Sequence, residues 1–232
     1  MNPANTRARR APRVPANPSR PRFRPGEIAV GIAIGVVALI FVWFINQNRQ
    51  SQSTGMGHSA PRGEFRYAVG SPGPGQAAPA IHLAASRGGD FDLAAQRGKT
   101  VLLYFQEGLM CQPCWDQIAE IEKHIDEFRA LGIDTMVSIT TDPVDLIARK
   151  MKDMRLTTAV LSDPALSVSK AYHANDFGMM GRSRDGHSFV LVGPDGMIRW
   201  RADYGGAPDY TMFLPATKLV AQLRDGLATA TR

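Results

Sequence analysis

Cys111 and Cys114 are the only two cysteines in the 232-residue chain, and they sit three positions apart in "YFQEGLMCQPCWDQI", Tyr104 to Ile118. A bridge closing so short a loop removes little entropy from the unfolded chain, so cross-linking for stability is a poor reason for the pair. Two thiols at this spacing can do redox work: one thiolate attacks a disulfide and its neighbour resolves the mixed disulfide. They can equally act as soft ligands for Cu(I) or Zn(II). On the pair alone, redox chemistry, metal binding and coincidence all stay open.

The surrounding pattern predicts how these thiols are held. "TVLLYF", inside Thr100–Gln106, is continuously apolar, as expected of a central strand covered on both faces. From Trp115 the period turns helical, with Ile118, Ile121, Ile125 and Phe128 three and four residues apart. Cys111 then falls in the loop leaving the strand and Cys114 at the start of the helix. Unpaired N–H groups and the positive helix end favour a thiolate there, lowering a pKa of ~8.5 to as little as ~3.5–7.5. Pro113 suits a first helical turn.

Further elements follow in order. A short strand is expected at Phe91–Leu93, another within "GIDTMVSIT", and a helix over "DPVDLIARKMKDM", capped by Asp142 with Pro143 at its first position. "TTAVLSD" reads as a strand and "PALSVSKAYHA" as a helix. "HSFVLVGPDGMIRWRA" reads as a hairpin turning at "GPDG", and "PATKLVAQLRDG" as an amphipathic helix closed by Gly226. The order β-β-α-β-α-β-α-β-β-α predicts an α/β sandwich around a mixed sheet.

Charge and hydropathy place this domain. Residues 1–26 carry seven arginines and no acid, so the net +6 leaves −1 for residues 27–232 and speaks against a nucleic-acid-binding domain. "IAVGIAIGVVALIFVWFI", Ile28 to Ile45, is an uncharged run of eighteen residues, about 27 Å as a helix and close to the ~30 Å hydrocarbon core. It is longer than a signal-peptide core and lacks a small-x-small cleavage site after it. The expected layout is a basic cytoplasmic tail at 1–26, a transmembrane anchor at 27–45 and a Ser/Gln/Gly/Pro-rich tether at 46–76. A folded domain at 77–227 and a tail at 228–232 complete it. With positive residues inside, the domain lies outside the cell membrane, where disulfides persist.

"GKTVLLYFQEGLMCQPCWDQI" resembles the strand–CxxC–helix of thioredoxin-fold proteins. "APAIHLAASRGGDFDLAAQRGKTVLLYF" is similar to the lead-in of the redoxin and alkyl-hydroperoxide-reductase-like (AhpC/TSA-like) branch, membrane-anchored thiol–disulfide oxidoreductases included. The resemblance spans about Ala77 to Leu227. It implies a thioredoxin-like sandwich in which Cys111 attacks, Cys114 resolves, and the partners are protein thiols or disulfides of the cell envelope, with no cofactor. Trp115 is then a packed aromatic or also a redox-sensitive fluorophore. Glu107 reads as a solvated loop carboxylate, with proton transfer as its alternative role.

Two positions depart from the resemblance. Thioredoxin-like proteins place a cis-proline before the strand facing the CxxC, where this chain has Gly186-His187-Ser188. Peroxiredoxins place a Thr or Ser three residues before the reactive Cys and a Pro further upstream. With Cys114 as that thiol, those places hold Cys111 and Glu107, so peroxide reduction ranks behind thiol–disulfide exchange.

"DGHSFVLVGPDG" resembles the Sco-type copper proteins of the same superfold, which join a His to two cysteines. This implies a metallochaperone alternative with Cys111, Cys114 and His187 on copper, although Sco cysteines stand one residue further apart. His187 can also tune a thiolate without metal. Met179 and Met180 read as packing or a recognition lip ahead of thioether ligation. Met56 and His58 read as tether residues, and His82, His124 and His173 as surface or packing residues. The loop 203–213 either shapes a partner groove or packs on the CxxC face.

Overall fold

The computed structural model describes residues 65–230, and within them no helix is long and apolar enough to cross a membrane. The expected anchor, the basic tail, Met56 and His58 lie outside the described residues.

Seven strands form one mixed sheet in the order β2-β1-β5-β4-β3-β6-β7. β1 is His82–Ala85, β2 Asp90–Asp92, β3 Val101–Phe105, β4 Thr135–Thr140, β5 Ala159–Ser162, β6 Ser188–Val192 and β7 Ile198–Asp203. β3, β4 and β5 run parallel, and every other pairing is antiparallel. The helices are α1 (Gln112–Lys123), α2 (Ile125–Ala130), α3 (Val144–Met154), α4 (Ser167–Ala171) and α5 (Ala216–Ala230).

β3 is central because all five of its side chains are buried and their two-residue period splits them between two cores. Leu102 and Tyr104 join Trp115, Ile118, Ile121, Leu219 and Leu223 on one face. Val101, Leu103 and Phe105 join Val137, Ile139, Leu161 and Tyr172 on the other. α1 turns Cys114, Trp115, Ile118 and Ile121 inward, but the expected stripe breaks at His124, and Phe128 is buried from the separate helix α2.

Several boundaries differ from expectation. β1 is an additional strand; "HLAA" has no β-branched residue, and long-range pairing to Leu161 and Ser162 creates it. Gly226 does not close α5 but lies inside it, where a Cβ would stand 2.1 Å from Trp200 Cδ1. Close packing on β7 therefore explains this glycine. Asp142 is not the cap of α3; Pro143 occupies that position and no side chain caps the helix. Residues 68–76, expected as tether, belong to the domain. Ala68 exchanges backbone hydrogen bonds with Asp203 at 2.9 Å, and Gly70 N–H donates to Asp203 Oδ2 at 2.7 Å. The buried Arg201 pairs with Asp203 through two hydrogen bonds of 2.8 and 2.9 Å and donates to Pro72 O. Charge pairing with a full set of partners keeps this guanidinium tolerable in the core.

Candidate active site

Cys111 is the N-cap of α1, and Pro113 lies in its first turn, where a missing N–H costs nothing. Cys111 N–H and Trp115 Nε1–H both donate to Gly108 O at 3.0 Å, which ties the approach loop to the helix it feeds. Gly108 has φ +90°, and a Cβ there would stand 1.8 Å from Asp142 Oδ2. Only glycine fits this turn. Asp142 Oδ2 also accepts from Leu109 N–H at 2.7 Å and from Thr140 Oγ1 at 2.9 Å. The carboxylate expected to cap a helix instead holds the loop that carries the cysteines.

Cys111 and Cys114 form a disulfide with their Cα atoms 5.3 Å apart. Cys111 keeps 7% of its surface exposed and Cys114 none, so an incoming group reaches the Cys111 sulfur first. Met212 packs with both cysteines, so the 203–213 loop lies on the CxxC face. Trp115 is fully buried, with the Lys150 ammonium 6.0 Å from its ring centroid. Packing accounts for it.

Glu107 is not a solvated carboxylate. It is 2% exposed, and its Oε1 accepts from the Met179 N–H at 2.5 Å and the Met180 N–H at 3.3 Å. Arg184 donates to Glu107 O at 3.2 Å and to Asp142 Oδ1 at 2.7 Å. Glu107 and Arg184 thus latch segment 177–186 onto the active-site loop. Met179 and Met180 stand out from it at 56% and 46% exposure, and Met110, next to Cys111 in the chain, is 75% exposed, so none of the three is packed. Charge-assisted hydrogen bonds of this kind contribute roughly 1.5–3 kcal/mol each. Glu107→Ala is expected to raise amide hydrogen exchange at Met179 and Met180 at least ~10-fold, while Glu107→Gln, which keeps an acceptor, stays near wild type. Equal protection in the alanine variant would show the latch to be held elsewhere.

His187 is fully buried at the mouth of β6. Its Nδ1 lies 3.1 Å from Tyr104 Oη, which is itself 3.3 Å from the Cys114 carbonyl oxygen. Burial lowers the imidazole pKa to about 3, against a backbone hydrogen bond with Met212 that raises it, so the ring is neutral. Burial also pushes the Tyr104 phenol well above its usual value, with help from the Glu107 charge. Cis peptide bonds occur at Ser71-Pro72 and Ala207-Pro208, and Gly186-His187-Ser188 takes the place before β6. With the two sulfurs bonded to each other, no group of three His, Cys, Asp or Glu side chains among the described residues is placed to hold a metal ion. His82, His124 and His173 sit at the surface beside Asp90, Glu127 and Asp176.

Tyr104, Asp142, Arg184 and Met212 were not among the expected site residues. Tyr104 alone carried a signal: a phenol in a fully buried strand must find a polar partner.

Strand, disulfide and helix lie on an α/β sheet of thioredoxin-like fold. The AhpC/TSA family profile matches residues 74–201, and the chain belongs to that family of redoxin oxidoreductases. A putative peroxiredoxin of Mycobacterium tuberculosis is 30% identical over 128 residues, 54% of this chain and 81% of its own length. Peroxiredoxin Bcp of Escherichia coli K12 is 28% identical over 127 residues, 53% of this chain and 81% of its own. Among solved structures, peroxidoxin BcpB of M. tuberculosis superposes with a TM-score of 0.55 at 21% identity, covering 66% of this chain and 97% of its own. AhpC of Enterococcus faecalis reaches 0.57 at 14%, covering 68% and 95%. At these identities the structures speak for the fold alone.

Proposed function

We propose that this protein is a dithiol peroxidase. The observation that carries the reading is the Cys111–Cys114 disulfide at the start of α1, with its accessible sulfur on Cys111. Family membership and the peroxiredoxin relatives supply the oxidant. The Cys111 thiolate attacks a hydroperoxide oxygen; the O–O bond breaks, an alcohol or water leaves with one proton, and Cys111 becomes a sulfenic acid. The Cys114 thiol then attacks that sulfur, forming the disulfide and releasing water. An external dithiol reopens the pair by exchange and is itself oxidised. This ordering places peroxide reduction ahead of the thiol–disulfide exchange that the motif spacing favours. If residues 27–45 anchor the chain as expected, the cycle runs at the outer membrane face.

The test is peroxide consumption by the full-length protein with dithiothreitol as reductant. Steady turnover, first order in enzyme and lost when the thiols are alkylated, is expected; a single stoichiometric equivalent consumed without turnover overturns the reading. A second reading, exchange with protein disulfides, is favoured by the exposed Met110, Met179 and Met180, since hydrogen peroxide needs no exposed apolar side chains. Its signature is reduction of a protein disulfide by the dithiol form at a rate that peroxide does not match.

A further inference from the structure

The proposed chemistry uses Cys111 and Cys114 and leaves the buried imidazole of His187 without a task. The ring meets Tyr104, Phe189 and Tyr204 edge-on, with centroids 5.0, 5.3 and 6.0 Å away. A phenylalanine would fill such an aromatic cage without desolvating two nitrogens. Taking two ring nitrogens out of water has a desolvation cost that an apolar ring avoids. Packing alone therefore does not account for a histidine here. What the imidazole adds is the contact at Nδ1, and that contact leads to the redox pair.

Tyr104 Oη has one proton and two neighbours, His187 Nδ1 at 3.1 Å and the Cys114 carbonyl oxygen at 3.3 Å. With the phenol donating to Cys114, the imidazole Nδ1–H donates to the phenol oxygen. In this arrangement, with the one phenol proton on the Cys114 carbonyl, imidazole, phenol and carbonyl form one buried chain. Tyr104 belongs to β3 and His187 directly precedes β6, two strands paired in register from Val101–Val192 to Phe105–Ser188. The chain is therefore anchored on two directly paired strands.

We propose that His187 is a positioning residue for the redox pair: through Tyr104 it holds the Cys114 carbonyl, and with it the first turn of α1, in the geometry that closes on Cys111. The inference rests on the reading that the pair cycles between disulfide and dithiol. In the disulfide the S–S bond holds the two residues together. After two electrons and two protons convert it to two thiols, only the surrounding structure does so. A rigid first turn keeps the effective concentration of one thiol toward the other high, which favours the disulfide and lowers the midpoint potential.

The experiment measures the midpoint of the full-length protein in glutathione buffers for wild type, Tyr104→Phe, His187→Phe and His187→Asn. Tyr104→Phe and His187→Phe are expected to lower the equilibrium constant for disulfide formation about tenfold, a midpoint rise of about 30 mV for a two-electron couple. His187→Asn, whose side-chain amide can meet the phenol where Nδ1 did, recovers most of that shift. Tyr104→Phe removes a single oxygen and keeps the ring, so it carries the test even where a His187 variant folds poorly. Unmoved midpoints, a shift confined to Tyr104→Phe, or Asn and Phe displaced alike at position 187 each overturn the proposal. A wild type with no reversible midpoint removes the proposed function itself, a separate failure.

Discussion

Cys111→Ser is expected to abolish turnover with hydroperoxide and with disulfide alike, a loss on the order of 10³-fold or more. The reason is access and electronics together. Cys111 is the sulfur with surface left to reach, and it caps α1, where backbone N–H groups and the helix dipole stabilise a thiolate. Serine at that position keeps the shape but has an alcohol pKa far above any working pH. Cys114→Ser differs in kind. The first step still occurs, but nothing internal resolves it, so intact-mass measurement should show Cys111 carrying one oxygen after peroxide, or one thiol adduct after disulfide. Steady turnover falls to the rate at which external thiol performs the resolution. Undiminished turnover in Cys111→Ser would reverse the two roles, and the buried Cys114 would then need a movement of Met212 to become reachable.

The strand–loop–helix that carries the cysteines was readable because its signals are local: an unbroken apolar run, then a switch to helical period at Trp115. The hairpin of β6 and β7 was readable for the same reason. What escaped depends on contacts across the chain. Asp142 has the sequence neighbours of a helix cap, yet Leu109 and Arg184, 33 and 42 residues away, claim its oxygens. Glu107 looks like a loop acid until the 177–186 segment folds over it and supplies two N–H donors. Nothing near position 107 encodes that cover. Asp185, two residues before His187, carried no sequence signal at all, though it is fully buried.

Asp185→Asn should stabilise the protein at neutral pH and have little effect below about pH 4. Both carboxyl oxygens of Asp185 lack a hydrogen-bond partner, and the nearby Ser169 hydroxyl is committed to Asp163 Oδ2 at 2.7 Å. Burial raises the Asp185 pKa well above 3.8; Ser169 pulls it down, and the Asp163 charge raises it further. Between the unfolded pKa near 3.8 and the raised folded value, the native state holds a proton that the unfolded chain has released. Stability therefore falls as pH rises, by about 1.4 kcal/mol per pH unit. His187 acts with the opposite sign: its pKa is 6.5 unfolded and about 3 folded, so between those values the unfolded chain binds the extra proton and stability rises with pH at the same slope. Where both groups titrate the two contributions oppose each other, and above pH 6.5 His187 adds no slope. Asparagine keeps the shape of a protonated carboxyl and cannot ionise, which uncovers the His187 slope. Denaturant unfolding of wild type and Asp185→Asn at successive pH values should give a stability difference near zero at pH 4 that widens toward pH 7. A difference constant across that range would mean that Asp185 is ionised in the folded protein and that its burial is compensated by a charge partner.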